Sequence, residues 1–177
     1  TIISSKSFGQ SIETLDGLKE AIATYVSTAV YKLRSQHSLT QGLSIFLMTN
    51  RFKDEPQYYN SIFIRLPMPT CYTPELIEYA HKGLARIFRS GFKFKKVGII
   101  LSEIIHEDHL QFNLFMNPEG NVKRNNLMKI VDNIQHRYGR NSIFFGAEGI
   151  CQEWSMRRTK LSQRFTTQWE ELLNINL

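Results

Sequence analysis

The chain has 177 residues, 42% of them hydrophobic, and its 22 Lys and Arg against 16 Asp and Glu give a formal net charge of +6 and a pI near 9.4. That is enough chain for one domain with a packed core plus something smaller, and too much apolar content for a disordered polyelectrolyte. The basic excess suits a polyanionic partner without naming one. The two cysteines, Cys71 and Cys151, form neither a disulfide framework nor a paired metal motif, and read as reduced cytosolic thiols. No apolar run reaches the roughly 18 residues of a membrane span, and no signal peptide is visible. The chain opens at Thr1 without Met, which reads as a piece of a longer protein in the cytoplasm.

Thr1 to Phe8 reads as a short extended segment. Thr14 is an N-cap with Asp16 in the first turn. Leu15, Leu18, Ile22, Tyr25, Val26, Ala29 and Leu33 then recur at helical spacing to about Gln36. Gly42 precedes a strand, Leu43 to Thr49. A polar loop from Asn50 to Gln57 follows, with Arg51 and Lys53. Tyr58 to Leu66 is a second strand: Ile62, Ile64 and Leu66 face one way, Ser61, Phe63 and Arg65 the other. Pro67 and Pro69 are expected to end it. Thr73 is expected to cap a helix with Pro74 at its first position. Leu76, Ile77, Ala80, Leu84, Ile87 and Phe88 form its stripe, and Gly91 its stop. Phe94 to Ile105 is the last strand. The order β-α-β-β-α-β predicts an α+β fold, a four-stranded sheet with two helices on one face and the other face free.

After Ile105 the pattern changes. Residues 106–123 read as a linker. Asn125 to Tyr138 is a short helix with Leu127, Ile130, Val131 and Ile134 on one face, and Ser142 to Ala147 a short strand. Trp154, Met156, Leu161, Phe165 and Trp169 are apolar anchors. Residues 1–105 and 124–177 are therefore expected to form a domain and a small α/β extension.

Three clusters invite a functional reading. Arg86, Arg89, Lys93, Lys95 and Lys96 stand in a stretch without an acid. Phosphate contacts need such cations on rigid elements, though a solvated edge that resists aggregation uses the same residues. Arg65 and Lys96 are expected on the free sheet face with Gly98, where a missing side chain permits close approach. Gln111-Phe112-Asn113-Leu114-Phe115 places apolar side chains in the apparent linker, as a partner-binding peptide does. His106-Glu107-Asp108-His109 lacks metal-site spacing, so no metal is expected. No phosphate loop, nucleophile elbow or carboxylate pair for two-metal chemistry occurs, so no catalytic residue and no cofactor are assigned.

Several stretches resemble a known family. Ser7-Phe8-Gly9, Leu18 to Ala23, and Gly91-Phe92-Lys93-Phe94-Lys95-Lys96-Val97-Gly98 look like the little-finger domain of Y-family DNA polymerases, in particular the UmuC group. Phe144 to Gly149, Trp154-Ser155-Met156-Arg157-Arg158 and Leu161-Ser162-Gln163-Arg164-Phe165-Thr166-Thr167 are similar to the ending of UmuC-type proteins, with Gln163 where proline is usual. Gln111 to Phe115 resembles the peptide that binds the bacterial sliding clamp, with Phe112 in place of leucine. The resemblance implies a non-catalytic part of a translesion polymerase of the SOS response, gripping template-primer DNA through its backbone. It implies docking on the clamp through Gln111, Leu114 and Phe115, and partnership with UmuD-type subunits and RecA. The Mg2+ of the parent enzyme would belong to an absent palm. Two other readings stay open: an RRM-like RNA-binding domain, which shares the element order but not the aromatic strand motif, and a small standalone enzyme.

Overall fold

The computed structural model describes residues 1–109, 118–139, 142–152, 154–156, 162–163, 166, 168–169 and 172. Its elements are β1 (Ile2–Ile12), α1 (Leu15–Ser35), β2 (Ser38–Thr49), β3 (Tyr59–Thr70), α2 (Thr73–Ile87), β4 (Phe94–His106) and α3 (Pro118–Tyr138), with 3-10 turns at Glu107–His109 and Gly146–Glu148. Thr14 caps α1 as the sequence predicts, its hydroxyl accepting from the Gly17 N–H at 3.3 Å and satisfying one of the helix's orphan donors. Gln36 closes the same helix.

The strands form one sheet in the order β1-β4-β2-β3, every pair antiparallel. The α+β fold class is borne out. Leu43, Ile45 and Leu47 of β2 and Val97, Ile99 and Leu101 of β4 are fully buried against α1 and α2, whose Leu18, Ile22, Val26, Leu33, Leu76 and Leu84 are equally buried. Burying side chains of this size contributes roughly 1.5–3 kcal/mol each. The period-2 alternation on the two central strands thus sets one face to the helices and leaves the other uncovered by the described helices.

Several expectations are corrected. β3 does not end at Pro67 but runs to Thr70. It is an edge strand, and its prolines fall where the register with β2 jumps, between Gly42↔Arg65 and Thr40↔Thr70. A residue without an N–H is tolerated in such a place. Thr73 is not the cap of α2. Tyr72 holds that position with no side-chain bond, and the Thr73 hydroxyl, fully buried, accepts from Arg34 Nη1 at 2.8 Å. The helix also stops at Ile87, before Gly91, which serves the following turn at φ +88°. Strands β1 and β2 extend to Ile12 and back to Ser38. Helix α3 starts at Pro118, inside the expected linker, where proline at a first helical position costs no hydrogen bond.

The tail differs most. Helix α3 buries Met128 and Val131, while Leu127 and Ile130 are exposed. Val131 is buried as expected, and the buried side otherwise lies toward Asp132, whose carboxylate accepts from Arg34 Nε and Nη2 at 2.7 Å each. Ser142 to Ala147 forms no strand but bends into the 3-10 turn, since no sheet edge receives it. Met156 and Trp169 are exposed and anchor nothing, whereas Trp154 is buried. Leu161 and Phe165 lie outside the described residues. Trp154 packs edge-on against Phe8 and Tyr25, with ring centroids 6.0 and 5.9 Å away, so the tail shares the core of the sheet unit.

Candidate nucleic-acid interface

The face of the sheet away from α1 and α2 is built by register. Across β1-β4-β2-β3 its rows are Ile3, Ile100, Ser44, Phe63; then Ser5, Gly98, Phe46, Ser61; then Ser7, Lys96, Met48, Tyr59; and finally Ser102, Gly42, Arg65 on the last three strands. Nearly half of these positions carry a hydroxymethyl group or no side chain. The surface is therefore low, with a few aromatic and cationic side chains standing on it.

Of the seven cation-or-glycine positions read from the sequence, the structure brings Arg65, Lys96 and Gly98 onto this face. Arg65 is mostly exposed and lies 3.6 Å from Glu103, a surface pair worth about 0–1 kcal/mol and so free to exchange partners. Lys96 holds its ammonium 5.8 Å from the Phe46 ring centroid. Gly98 is required by packing: a Cβ there would lie 2.4 Å from Ser5 Cβ and 2.5 Å from Phe46 Cζ.

The other four cations surround one end of the sheet. Lys95 falls where the β1–β4 register shifts between Ser7 and Ile12, and donates to the Gly9 carbonyl at 3.2 Å. Lys93 sits 4.0 Å from Glu55 of the β2–β3 connection, Arg89 packs its guanidinium 5.7 Å from the Tyr58 ring centroid, and Arg86 is exposed in the last turn of α2. The cluster is thus a rim beside the open face rather than part of it.

Sequence reasoning left out two contributors. Arg51 and Lys53 belong to the β2–β3 connection at this same end, and Arg51 lines a shallow depression of about 210 Å³ with Met48, Thr49, Gln57, Tyr58 and Tyr59. The antiparallel pairing of β2 with both β3 and β4 was the available signal. Phe46 was also missed, although alternation with buried Ile45 and Leu47 points it outward.

Elsewhere the titratable groups are structural. Burial pushes the Glu148 carboxyl above its ordinary value, opposed by hydrogen bonds from the Ser27 hydroxyl at 2.8 Å and the Phe145 N–H at 3.2 Å. Burial likewise raises the Cys71 thiol, against the neighbouring Arg34 guanidinium. His106 pairs with Asp108 at 3.2 Å and His37 with Glu107 at 2.9 Å. Among the described residues no three His, Cys, Asp or Glu side chains gather as metal ligands, and no helix is long and apolar enough to cross a membrane. Gln111, Phe112, Asn113, Leu114 and Phe115 lie outside the described residues.

Residues 125–175 match a domain of unknown function, DUF4113. Over 98% of its length the chain is 31% identical to Protein UmuC of Salmonella typhimurium, covering 42% of that protein. It is 31% identical to Protein SamB of the same organism over 97% of the chain and 40% of the relative. The chain thus spans about two-fifths of the length of these curated relatives. Among solved structures, DinB from Sulfolobus solfataricus aligns with a TM-score of 0.49 at 10% identity, over 59% of this chain and 29% of that one. A complex of the beta-clamp processivity factor and the little finger domain of PolIV aligns with a TM-score of 0.41 at 15% identity, over 65% and 98%. Residues 1–114 match the model described as the impB/mucB/samB family C-terminal domain, and the chain belongs to that family.

Proposed function

We propose that this chain is the non-catalytic C-terminal region of a UmuC-like translesion DNA polymerase, and that it grips template-primer DNA by the backbone while tethering the enzyme to the sliding clamp. The observation that carries the reading is the open sheet face of a UmuC-related chain, bearing Lys96 and Arg65 and rimmed by Arg86, Arg89, Lys93 and Lys95. Small side chains let a sugar-phosphate backbone approach, and the cations neutralise phosphates without reading bases. Residues 1–105 are the gripping unit, residues 106–123 carry the clamp peptide Gln111 to Phe115, and residues 124–177 form the C-terminal extension. The parent polymerase would act in the cytoplasm in the SOS response with UmuD-type subunits and RecA, its Mg2+ chemistry belonging to a palm elsewhere in the protein.

Fluorescence anisotropy on labelled duplexes tests the grip. Replacing Lys93, Lys95 and Lys96 with alanine weakens binding to all sequences alike and lowers the slope of log K against log salt by about 0.9 for each phosphate no longer neutralised. A loss confined to particular sequences contradicts the reading. Calorimetry against the bacterial clamp tests the tether: replacing Gln111, Leu114 and Phe115 with alanine abolishes binding, and absence of binding by the unaltered chain refutes the tether.

A further inference from the structure

Helix α3 has two sides, and only the inner one has a task in the fold. That side is fixed at several points along its length. Met128 and Val131 are buried, and Asp132 accepts from the Arg34 guanidinium of α1. Arg124 lies 3.7 Å from Glu75 of α2 and 5.1 Å from the Tyr72 ring centroid. Gln135 donates to the Ile143 carbonyl at 3.0 Å. The helix is therefore held against α1 and α2 in one rotational setting, which fixes what its other side presents.

The outer side carries Leu127, Ile130, Ile134 and Tyr138, spaced by three, four and four residues, so they share one stripe. Leu127 is 47%, Ile130 57% and Tyr138 67% exposed, and Ile134 is half-buried. Single exposed apolar residues are ordinary, whereas a stripe of them along about three turns is a continuous apolar surface. Its charge is one-sided. Lys123 stands four residues before Leu127 and Arg137 three after Ile134, both exposed, so cations close both ends of the stripe. Asp132 is the only acid between Asn121 and Tyr138, and it is turned inward onto Arg34.

These features select an occupant. A second copy of the chain would set Lys123 against Arg137 in an antiparallel pairing, and each cation against its own counterpart in a parallel one. Either brings like charges together. A phosphate backbone would use the two cations and leave the apolar stripe in water. A lipid surface would need the cations on the opposite, polar side of the helix, and here they stand in line with the stripe. An acidic amphipathic helix meets both features. Its apolar side chains, at the same three-and-four spacing, pack into the stripe, and its carboxylates reach the cations at the ends.

We propose that the outward stripe of α3 is a docking surface for an acidic amphipathic helix of a partner protein, with Leu127, Ile130 and Ile134 as apolar contacts and Lys123 and Arg137 as charge anchors. The surface falls largely within the domain of unknown function at residues 125–175. It belongs to the helical side of the molecule and does not depend on the DNA-gripping reading.

The test is fluorescence anisotropy of a labelled synthetic peptide against the full chain. The probe is a helix-forming repeat with Leu at three-and-four spacing and Glu between, and its control has Lys in place of Glu. The acidic peptide binds the unaltered chain and the basic one does not. Ile130→Glu weakens the acidic peptide by about 30-fold, the loss of one central anchor. Its melting curve is unchanged, because Ile130 is exposed and Glu favours a helix. Lys123→Glu combined with Arg137→Glu reverses the preference, so that the basic peptide binds instead. Failure of the unaltered chain to bind the acidic peptide, equal binding of both peptides, or undiminished affinity of Ile130→Glu overturns the proposal. So does a dimer seen by sedimentation that Ile130→Glu dissolves, which gives the stripe to a second copy. Binding to phosphatidylserine vesicles that the same substitution abolishes gives it to lipid, and overturns the proposal equally.

Discussion

The sheet unit and the tail behind it are stabilised in different ways. In residues 1–106 a long antiparallel ladder and a broad apolar layer spread the free energy over many side chains, none of them singular. The described tail is held by separate contacts, among them Asp132 on Arg34, Glu148 on Ser27, Gln152 on Thr24, and Trp154 between Phe8 and Tyr25. A distributed unit tolerates single losses, whereas a pinned one is decided by its pins. Because these pins enter α1 or the core of the sheet unit, the two parts are also expected to unfold as one.

That contrast can be broken, beginning with the largest effect. Trp154→Ala removes an indole from a shared core and is expected to cost about 3–5 kcal/mol. Denaturant unfolding followed by near-UV circular dichroism should show the midpoint of the whole chain falling. An unchanged transition for the sheet unit would separate the two parts. Asp132→Ala strands the Arg34 guanidinium, only 12% exposed, and is expected to cost about 3 kcal/mol, because one charge of a largely buried pair loses its partner. Cys71 and Thr73 still accept from Arg34, which holds the loss at the low end.

The Glu148 pin has a pH signature. Burial raises its carboxyl in the folded chain, so the folded state binds that proton more tightly than the unfolded state does. Stability from this group is present at low pH and declines as pH climbs from the ordinary carboxylate range through the raised folded value. The substitution Glu148→Gln keeps an acceptor for Ser27 and Phe145 and removes the titration. Thermal melts over that window should lose the decline. A variant that melts with the same pH slope would show that another group carries it. The smallest effect belongs to Met156→Ala, which should stay within about 0.5 kcal/mol, since this side chain is exposed.

The same contrast governs what was legible in the sequence. The sheet unit repeats its signals: Leu43, Ile45 and Leu47 alternate, Leu18, Ile22 and Val26 recur at helical spacing, and Thr14 marks a start. Such patterns survive errors at single residues. In the tail, Leu127 and Ile130 have the right spacing for a buried face yet are exposed; of the expected face Val131 is buried, and Met128 joins it on the side where Asp132 meets Arg34. Long-range pairing of this kind, between positions 34 and 132, leaves no local trace. At the interface, Arg65, Lys96 and Gly98 were readable by alternation alone. The seating of Phe46 on Gly98 was not, because it needs the register between two strands brought together by the fold.

The register shift in β1 has a consequence for how the protein can be altered. Gly9 sits in that irregular stretch, donating its N–H to the Trp154 carbonyl at 3.1 Å and accepting from Lys95 at 3.2 Å through its own carbonyl. One peptide segment is therefore held from the tail on one side and from the basic rim on the other. Shortening the protein before Trp154 would free this segment and, with it, the footing of Lys95. The extension is then less an appendage than a clasp at one corner of the sheet, and trimming it would be felt at the basic rim through Gly9.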